Sequence, residues 1–284
     1  MTALTLPAYA KLNLTLDILG KRTDGYHDLR MVMQTVSLHD DVTVCLTDAP
    51  GVACRVSGAQ LPCDERNLAV RAARAFAAAT GQRVDGVDIT LVKRIPSEAG
   101  MAGGSADAAA VLRALRVLLL PTLSDAALET IGAQVGSDVP FCIRGGTQLA
   151  EGRGEVLTVL PAAPRLYAAV CKPGFSISTP ALFARADSVM LTNRPDHTAM
   201  LAALRTGDVP ALCAGVCNVF EQALPDEQRA CVEALKRALL ENGARAAAMT
   251  GSGSVVYGLF EDEKVCRAAC GAVQGAQTFC TVFV

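Results

Sequence analysis

From Lys93 to Ala110 the chain reads Lys-Arg-Ile-Pro-Ser-Glu-Ala-Gly-Met-Ala-Gly-Gly-Ser-Ala-Asp-Ala-Ala-Ala, and no other stretch restricts the fold as strongly. The pattern of Val87–Lys93 predicts a strand, three glycines open a loop, and Ser105–Leu119 is predicted to be a long helix. Glycines let backbone N–H groups approach an anion without Cβ obstruction. A helix start adds unpaired N–H donors and a partial positive charge. Ser105 can cap the helix or donate to a phosphate, and Ala106 and Ala108–Ala110 keep its first turns slim. The segment Pro96–Ala109 is therefore expected to bind phosphate. It is not a Walker A loop, because no Lys-Ser or Lys-Thr follows the last glycine. It also lacks Gly-x-Gly-x-x-Gly, and neither Ser105 nor Ser252 sits in a Gly-x-Ser-x-Gly nucleophile turn.

The rest of the chain suits such a loop. Its 284 residues are enough for one large domain or two medium ones, and 51% are hydrophobic against 19% charged. A net charge of -2 leaves no footprint for nucleic acid. The first residues lack a signal-peptide pattern, and no apolar run approaches a membrane span. The sequence reads as cytoplasmic, without nucleic-acid or membrane partners, and as a monomer or weak homodimer. Of 11 cysteines, Cys213 and Cys217 are four apart, as are Cys266 and Cys270. That spacing puts each pair on one helical face. Neither resembles a zinc knuckle, and a role as small buried hydrophobes is expected.

Leu4–Leu19 and Met31–Leu46 alternate as strands, with Gly20–Asp28 as the loop between them. Helices are predicted for Asn67–Ala79, capped by Asn67 and stopped by Gly81, and for Ser124–Val135, capped by Ser124 and stopped by Gly136. Thr147–Leu160 and Arg165–Cys171 read as strands. Pro161 and Pro164 mark a boundary between domains 1–160 and 161–284. The second half alternates helices (Thr179–Ala186, Asp196–Leu204, Pro225–Glu241) with strands (Ala246–Met249, Val255–Phe260, Phe279–Phe283). The expected class is α+β in two domains.

Pro96-x-x-Ala-Gly-x-Ala-Gly-Gly-Ser-x-Asp-Ala-Ala resembles the phosphate-binding motif of the GHMP kinases. Pro7-Ala-Tyr-Ala-Lys-Leu-Asn-Leu resembles their N-terminal motif, and Met249-Thr-Gly-Ser-Gly-Ser their C-terminal one. The third motif departs from the usual Gly-Ser-Gly-Pro or Gly-Ser-Gly-Ala, and Ala106 stands where a second Ser is common. Ala10–Leu14, Arg22–Leu29, Gly136–Cys142 and Gly145–Glu155 narrow the likeness to members acting on a cytidine-diphosphate derivative of a branched sugar alcohol. The resemblance implies a two-domain kinase fold with the active site in the inter-domain cleft, and ATP-dependent phosphorylation of a substrate hydroxyl. It implies ATP contacts from Pro96, Ala99, Gly100, Met101, Ala102, Gly103, Gly104, Ser105 and Ala106. Asn67 and Leu68 match positions that border the adenine, although Asn67 also reads as a simple N-cap. Magnesium is expected with ATP, with no protein ligand assigned.

Phosphoryl transfer to an alcohol needs an in-line nucleophile, an acceptor for its proton and charge to offset the phosphoryl group. Asp138, at a helix end, has the chemistry of a base, or of an ordinary solvated carboxylate. Lys11 in an apolar strand is costly unless paired. By resemblance, Lys11 and Asp138 are the catalytic pair and Asn13 touches the substrate. Tyr26 and His27 sit at an expected loop tip, suited to stacking on a base and bonding its edge. By resemblance, this loop reads cytidine. The segment Pro173–Phe183, with Thr179, covers the cytosine, which then lies between Tyr26 and Phe183. Phe183 equally suits a core position. Gly251, Ser252 and Gly253 form a second glycine turn, buttressing the phosphate loop or the substrate diphosphate. A different alcohol substrate (homoserine, mevalonate or a sugar) fits less well with the Tyr26-His27 loop. A nucleotide sensor without catalysis fits less well with Lys11 and Asp138 both present.

Overall fold

The computed structural model describes residues 2–82, 84 and 86–284. The chain divides into two compact units, each assembled from several segments. One comprises Met1–Ala10, His39–Ser97 and Ala102–Gly145; the other comprises Lys11–Leu38, Glu98–Met101 and Gly146–Val284. The strands β1 (Thr2–Lys21) and β2 (His27–Leu46) are long enough that each contributes residues to both.

In the first unit, β3 (Val52–Ser57) runs parallel to β4 (Val87–Val92), and β4 pairs antiparallel with Asp41–Leu46 of β2. The helices are α1 (Leu68–Thr80), α2 (Gly103–Leu119), α3 (Asp125–Val135) and α4 (Val139–Arg144). Asn67 caps α1 by accepting from Ala69 N at 3.0 Å, and Gly81 ends it in the left-handed region at φ 68°. Ser124 caps α3 in the same way, accepting from Ala127 N at 3.2 Å. Alanine sets the packing. Ala69, Ala72 and Ala73 of α1 and Ala106, Ala108, Ala109 and Ala110 of α2 are all buried, so the two helices can approach closely.

In the second unit, Leu29–Gln34 of β2 pairs antiparallel with β5 (Thr147–Gly152), and β5 with β6 (Val156–Val159). The expected single strand over Thr147–Leu160 is thus a hairpin. Gly152 and Gly154 take positive φ, and Arg153 N donates to Glu155 Oε2 at 2.6 Å, which turns the chain. A four-stranded antiparallel sheet has β7 (Tyr167–Pro173) between β11 (Ala276–Val282) and β10 (Val256–Phe260), with β9 (Ala246–Met249) beyond β10. Its helices are α5 (Thr179–Ala186), α6 (His197–Thr206), α7 (Val209–Ala214), α8 (Asp226–Glu241) and α9 (Glu263–Ala272). The short strand β8 (Cys217–Asn218) runs parallel to Thr15–Leu16 of β1.

The expectation that Cys213 and Cys217 share a helical face fails. Helix α7 ends at Ala214, Gly215 follows, and Cys217 already lies in β8. Cys266 and Cys270 do lie one turn apart on α9. Among the described residues no helix is long and apolar enough to cross a membrane.

Candidate active site

The glycine-rich segment leaves β4 at Lys93 and enters α2 through Ala102, a left-handed residue at φ 60° in the N-cap position. Ala102 has no side-chain oxygen, and the helix has no acidic residue in its first turn. Its first N–H groups are therefore unspent and its partial positive charge is not neutralised locally. Ser105 is the third helical residue and not the cap, so of its two expected roles only the second remains open. Gly104 is exposed and Gly103 and Ser105 are half-buried, so an anion can reach the turn. A methyl group on Gly104 would lie 3.5 Å from Leu68 Cδ1, and one on Gly136 would lie 3.8 Å from Ser105 Oγ. Leu68, the first turn of α2 and the Gly136 turn thus adjoin. Asn67 itself is spent on structure, since its Oδ1 caps α1 and its Nδ2 donates to Pro62 O at 2.8 Å.

Asp138 stands between α3 and α4, at the N-cap position of α4 but with helical backbone (φ -84°, ψ -8°). Its carboxylate makes no capping bond and is half-buried. The side chain is therefore held at a fixed point by two short helices without being consumed by either.

Sequence reasoning missed what supports the loop from below. Lys93 is buried, pairs with Asp40 and lies 2.5 Å from Asp107 Oδ2. Asp40 Oδ1 accepts from Ile95 N at 2.8 Å, which fixes the chain as it leaves β4. A methyl group on Gly103 would lie 3.6 Å from Lys93 Nζ. Two carboxylates and one ammonium thus tie the strand end to the helix start. Burial pushes the Asp107 carboxyl up to about 7, against the lowering effect of Lys93. No local pattern announces this cluster, because its members come from three elements.

In the second unit, Lys11 is 4% exposed, which excludes a snorkelling surface lysine. Its Nζ donates to Asn13 Oδ1 at 2.6 Å and to Gly100 O at 2.8 Å. Asn13 Oδ1 also accepts from Gly251 N at 2.9 Å and Thr250 Oγ1 at 3.2 Å. An ammonium out of water, ringed by oriented dipoles, is a preorganised positive charge. The Glu98–Met101 segment packs directly on the second glycine turn. A methyl group on Gly100 would fall 2.1 Å from Thr250 O, and one on Gly251 would fall 2.8 Å from Gly100 O. Asn218 braces the turn from behind, donating to Met249 O at 2.7 Å and Gly251 O at 2.8 Å. Ser252 Oγ is 2.7 Å from Thr179 Oγ1.

His27 is not at a loop tip. It opens β2 and is buried, whereas its neighbour Tyr26 is 58% exposed. The imidazole stacks on Phe183, with ring centroids 4.6 Å apart and planes 19° apart, and its Nε2 is 2.7 Å from Asp187 Oδ1. Hydrogen bonds from Lys21 and His27 hold the Asp187 carboxyl below the usual range. Phe183 also meets Phe220 edge-on at 4.8 Å, and the Arg153 guanidinium lies 5.1 Å above the Tyr26 ring. Tyr26, His27, Thr179 and Phe183 therefore all belong to one unit, but one face of Phe183 is already taken by His27.

Comparison with known proteins adds a second line of observation. The family model for the GHMP kinases N terminal domain matches residues 67–146, and the model for the GHMP kinases C terminal matches residues 200–274. The 4-diphosphocytidyl-2-C-methyl-D-erythritol kinase of Lachnoclostridium phytofermentans is 40% identical, covering 100% of this chain and 98% of that one. The enzyme of the same name from Moorella thermoacetica is 42% identical, covering 96% of each. A crystal structure of 4-(cytidine 5'-diphospho)-2C-methyl-D-erythritol kinase superposes with a TM-score of 0.82 at 32% identity, covering 99% of both chains. Homoserine kinase from Cytophaga hutchinsonii, at TM-score 0.77 and 18% identity, shares the fold over 100% of this chain and 95% of its own.

Proposed function

Because the chain belongs to the GHMP kinase family, we propose that it transfers the γ-phosphoryl group of ATP to the 2-hydroxyl of 4-diphosphocytidyl-2-C-methyl-D-erythritol, a step of non-mevalonate isoprenoid precursor synthesis. The observation that carries this reading is identity near 40% over essentially the whole length of curated enzymes of that name. It acts in the cytoplasm as a monomer or weak homodimer.

In this reading the N–H groups of Gly103, Gly104 and Ser105 receive the ATP phosphates at the uncapped start of α2. Pro96, Ala99, Gly100, Met101, Ala102 and Ala106 shape that loop, and Leu68 borders the nucleotide beside Gly104. Asp138 accepts the proton of the substrate hydroxyl as the oxygen attacks. Lys11 offsets negative charge on the attacking oxygen and the moving phosphoryl group, its ammonium aimed by Asn13 and Gly100. Asn13 also lies next to the substrate. Gly251–Gly253 holds the substrate diphosphate side, while Tyr26, His27, Thr179 and Phe183 recognise the cytosine.

Magnesium enters as part of the MgATP substrate. Among the described residues no group of three or more His, Cys, Asp or Glu side chains is arranged to hold a metal. Magnesium carried by the nucleotide would offset charge on its phosphates.

The test is phosphorus NMR of the purified chain with MgATP and the cytidine compound. A new phosphomonoester signal should appear as ADP forms. ADP release with homoserine or mevalonate, but not with the cytidine compound, would overturn the substrate and leave the family intact.

A further inference from the structure

The segment Asn218-Val-Phe-Glu221 lies behind the second glycine turn, and neither of its polar side chains enters the phosphoryl transfer. Asn218 is buried, and Glu221 keeps only 13% of its side chain exposed. Asn218 Oδ1 accepts from Phe220 N at 3.0 Å, capping the short 3-10 helix Val219–Ala223. That bond decides which way the amide points. Its Nδ2 faces the glycine turn and spends its hydrogens on Met249 O at 2.7 Å and Gly251 O at 2.8 Å. Glu221 Oε1 accepts from Met249 N at 2.7 Å, and Glu221 Oε2 accepts from Lys236 Nζ of α8 at 2.5 Å.

Part of this is what any sheet edge needs. Strand β9 is an edge strand, and Thr250 N turns toward β10 to reach Val255 O. The N–H and C=O of Met249 therefore point off the sheet, in a residue that is fully buried. Without Asn218 and Glu221 they would be buried and unpaired. The bond to Gly251 O answers no such need, because Gly251 lies beyond the end of β9. It pins the turn itself. Held from behind at Met249 and Gly251, the turn presents a clamp to Asn13. Thr250 Oγ1 accepts from Asn13 N at 3.0 Å, and Gly251 N donates to Asn13 Oδ1 at 2.9 Å. The same Asn13 oxygen receives the Lys11 ammonium at 2.6 Å. Asn218 thus reaches Lys11 through the turn and Asn13, all within one compact unit.

We propose, on the roles given to Lys11 and Asn13 above, that Asn218 is a positioning residue for phosphoryl transfer, with Glu221 as its partner. Together they fix the glycine turn in the place that aims Asn13 and, through it, the Lys11 ammonium. A charge that stabilises a transition state must be preorganised, since misplacement by about 1 Å can cost on the order of a hundredfold in rate. A lysine stem is flexible, so its ammonium goes where its acceptors are. Here one acceptor is Asn13 Oδ1, which the turn sets, and Asn218 sets the turn.

The experiment is a double-mutant cycle on the full chain, with kcat measured for MgATP and the cytidine compound and a thermal melt for every variant. Asn218→Ala should lower kcat per folded molecule by about tenfold or more. In an Asn13→Ala background, where the link to Lys11 is already cut, the same substitution should cost little further turnover. Glu221→Gln keeps an acceptor for Met249 N and should retain more turnover than Glu221→Ala, although both lose the charge pair with Lys236. If Asn218→Ala does not fold, Asn218→Ser carries the cycle, since it keeps an oxygen for Phe220 N and loses the paired N–H donors. Wild-type kcat in the folded Asn218 variant, or equal losses in both backgrounds, would overturn this inference alone. A wild type inactive on the cytidine compound would overturn the proposed function, and the role of Asn218 with it.

Discussion

Lys93 and Asp107 meet under the first turns of α2, with ammonium and carboxylate 2.5 Å apart and neither side chain more than 3% exposed. Asp40 competes for the same ammonium, and among the described residues Asp107 Oδ1 is buried with no hydrogen-bond partner. Burial and the Asp40 carboxylate beside it favour the protonated form of Asp107.

A pH dependence follows. Burial raises Asp107 from an ordinary 3.8 to about 7 in the folded chain. Between those values the folded protein holds a proton that the unfolded chain has released. The stability this group contributes is complete below the unfolded value, declines as pH rises towards 7, and is gone above it. The slope approaches, as an upper bound, about 1.4 kcal/mol per pH unit. Urea melts from about pH 5 to 8 should show wild-type stability falling more steeply with pH than that of Asp107→Asn, with parallel curves at the alkaline end. Equal slopes through the acidic half would remove Asp107 as the titrating group.

Gly100 supplies a second prediction. It sits at φ +72°, and an added methyl group would be driven 2.1 Å from Thr250 O, a backbone atom that cannot move aside alone. Gly100→Ala should cost about 2 kcal/mol or more, combining left-handed strain with displacement of the 250–253 turn. Because Gly100 O also receives the Lys11 ammonium at 2.8 Å, turnover should fall along with stability. Thermal melts and ADP release would check both, and an unchanged melting temperature would contradict the packing.

For the proposed base, Asp138→Asn keeps the shape and removes the carboxylate. Turnover should drop by about two to four orders of magnitude, while ATP affinity measured by calorimetry stays near normal. Near-normal turnover would exclude Asp138 as the base and favour late proton loss directly to the phosphoryl group.

The parts of this molecule visible in the sequence are those whose signals are local. Asn67 and Gly81 bracket α1, Ser124 caps α3, and Thr179–Ala186 is helical as its pattern predicts, because caps and stops act within one turn. The glycine-rich turn was readable for the same reason. Contacts closed by distant segments were not. His27 looked exposed because its neighbours are polar. Its burial depends on Phe183 and Asp187, roughly 160 residues away, as the separation of the His27–Asp187 bond shows. The Lys93 cluster joins β2, β4 and α2, and Cys213 and Cys217 misled because a four-residue spacing says nothing of the Gly215 that ends α7. The Thr147–Leu160 hairpin was legible in principle, since Gly152 and Gly154 flank its turn.

Base discrimination gives the last prediction, and the geometry sharpens it beyond simple stacking. Of the two neutral tautomers of His27, the one with its proton on Nε2 lets that nitrogen donate to the Asp187 carboxylate 2.7 Å away. Nδ1 is then left as an acceptor. Cytosine offers an amino donor where uracil offers a carbonyl oxygen, so an acceptor suits the first and repels the second. Wild-type enzyme should therefore favour the cytidine compound over its uridine analogue by about tenfold or more in kcat/KM. Asp187→Ala frees His27 to carry its proton on either nitrogen, and the preference should shrink while kcat with the cytidine compound changes less. Phe183→Ala removes an aromatic ring and should weaken both compounds alike, by roughly 1 to 3 kcal/mol in binding. A wild type that uses both compounds equally would end the case for His27 as the base reader, and a preference untouched by Asp187→Ala would end the case for tautomer control.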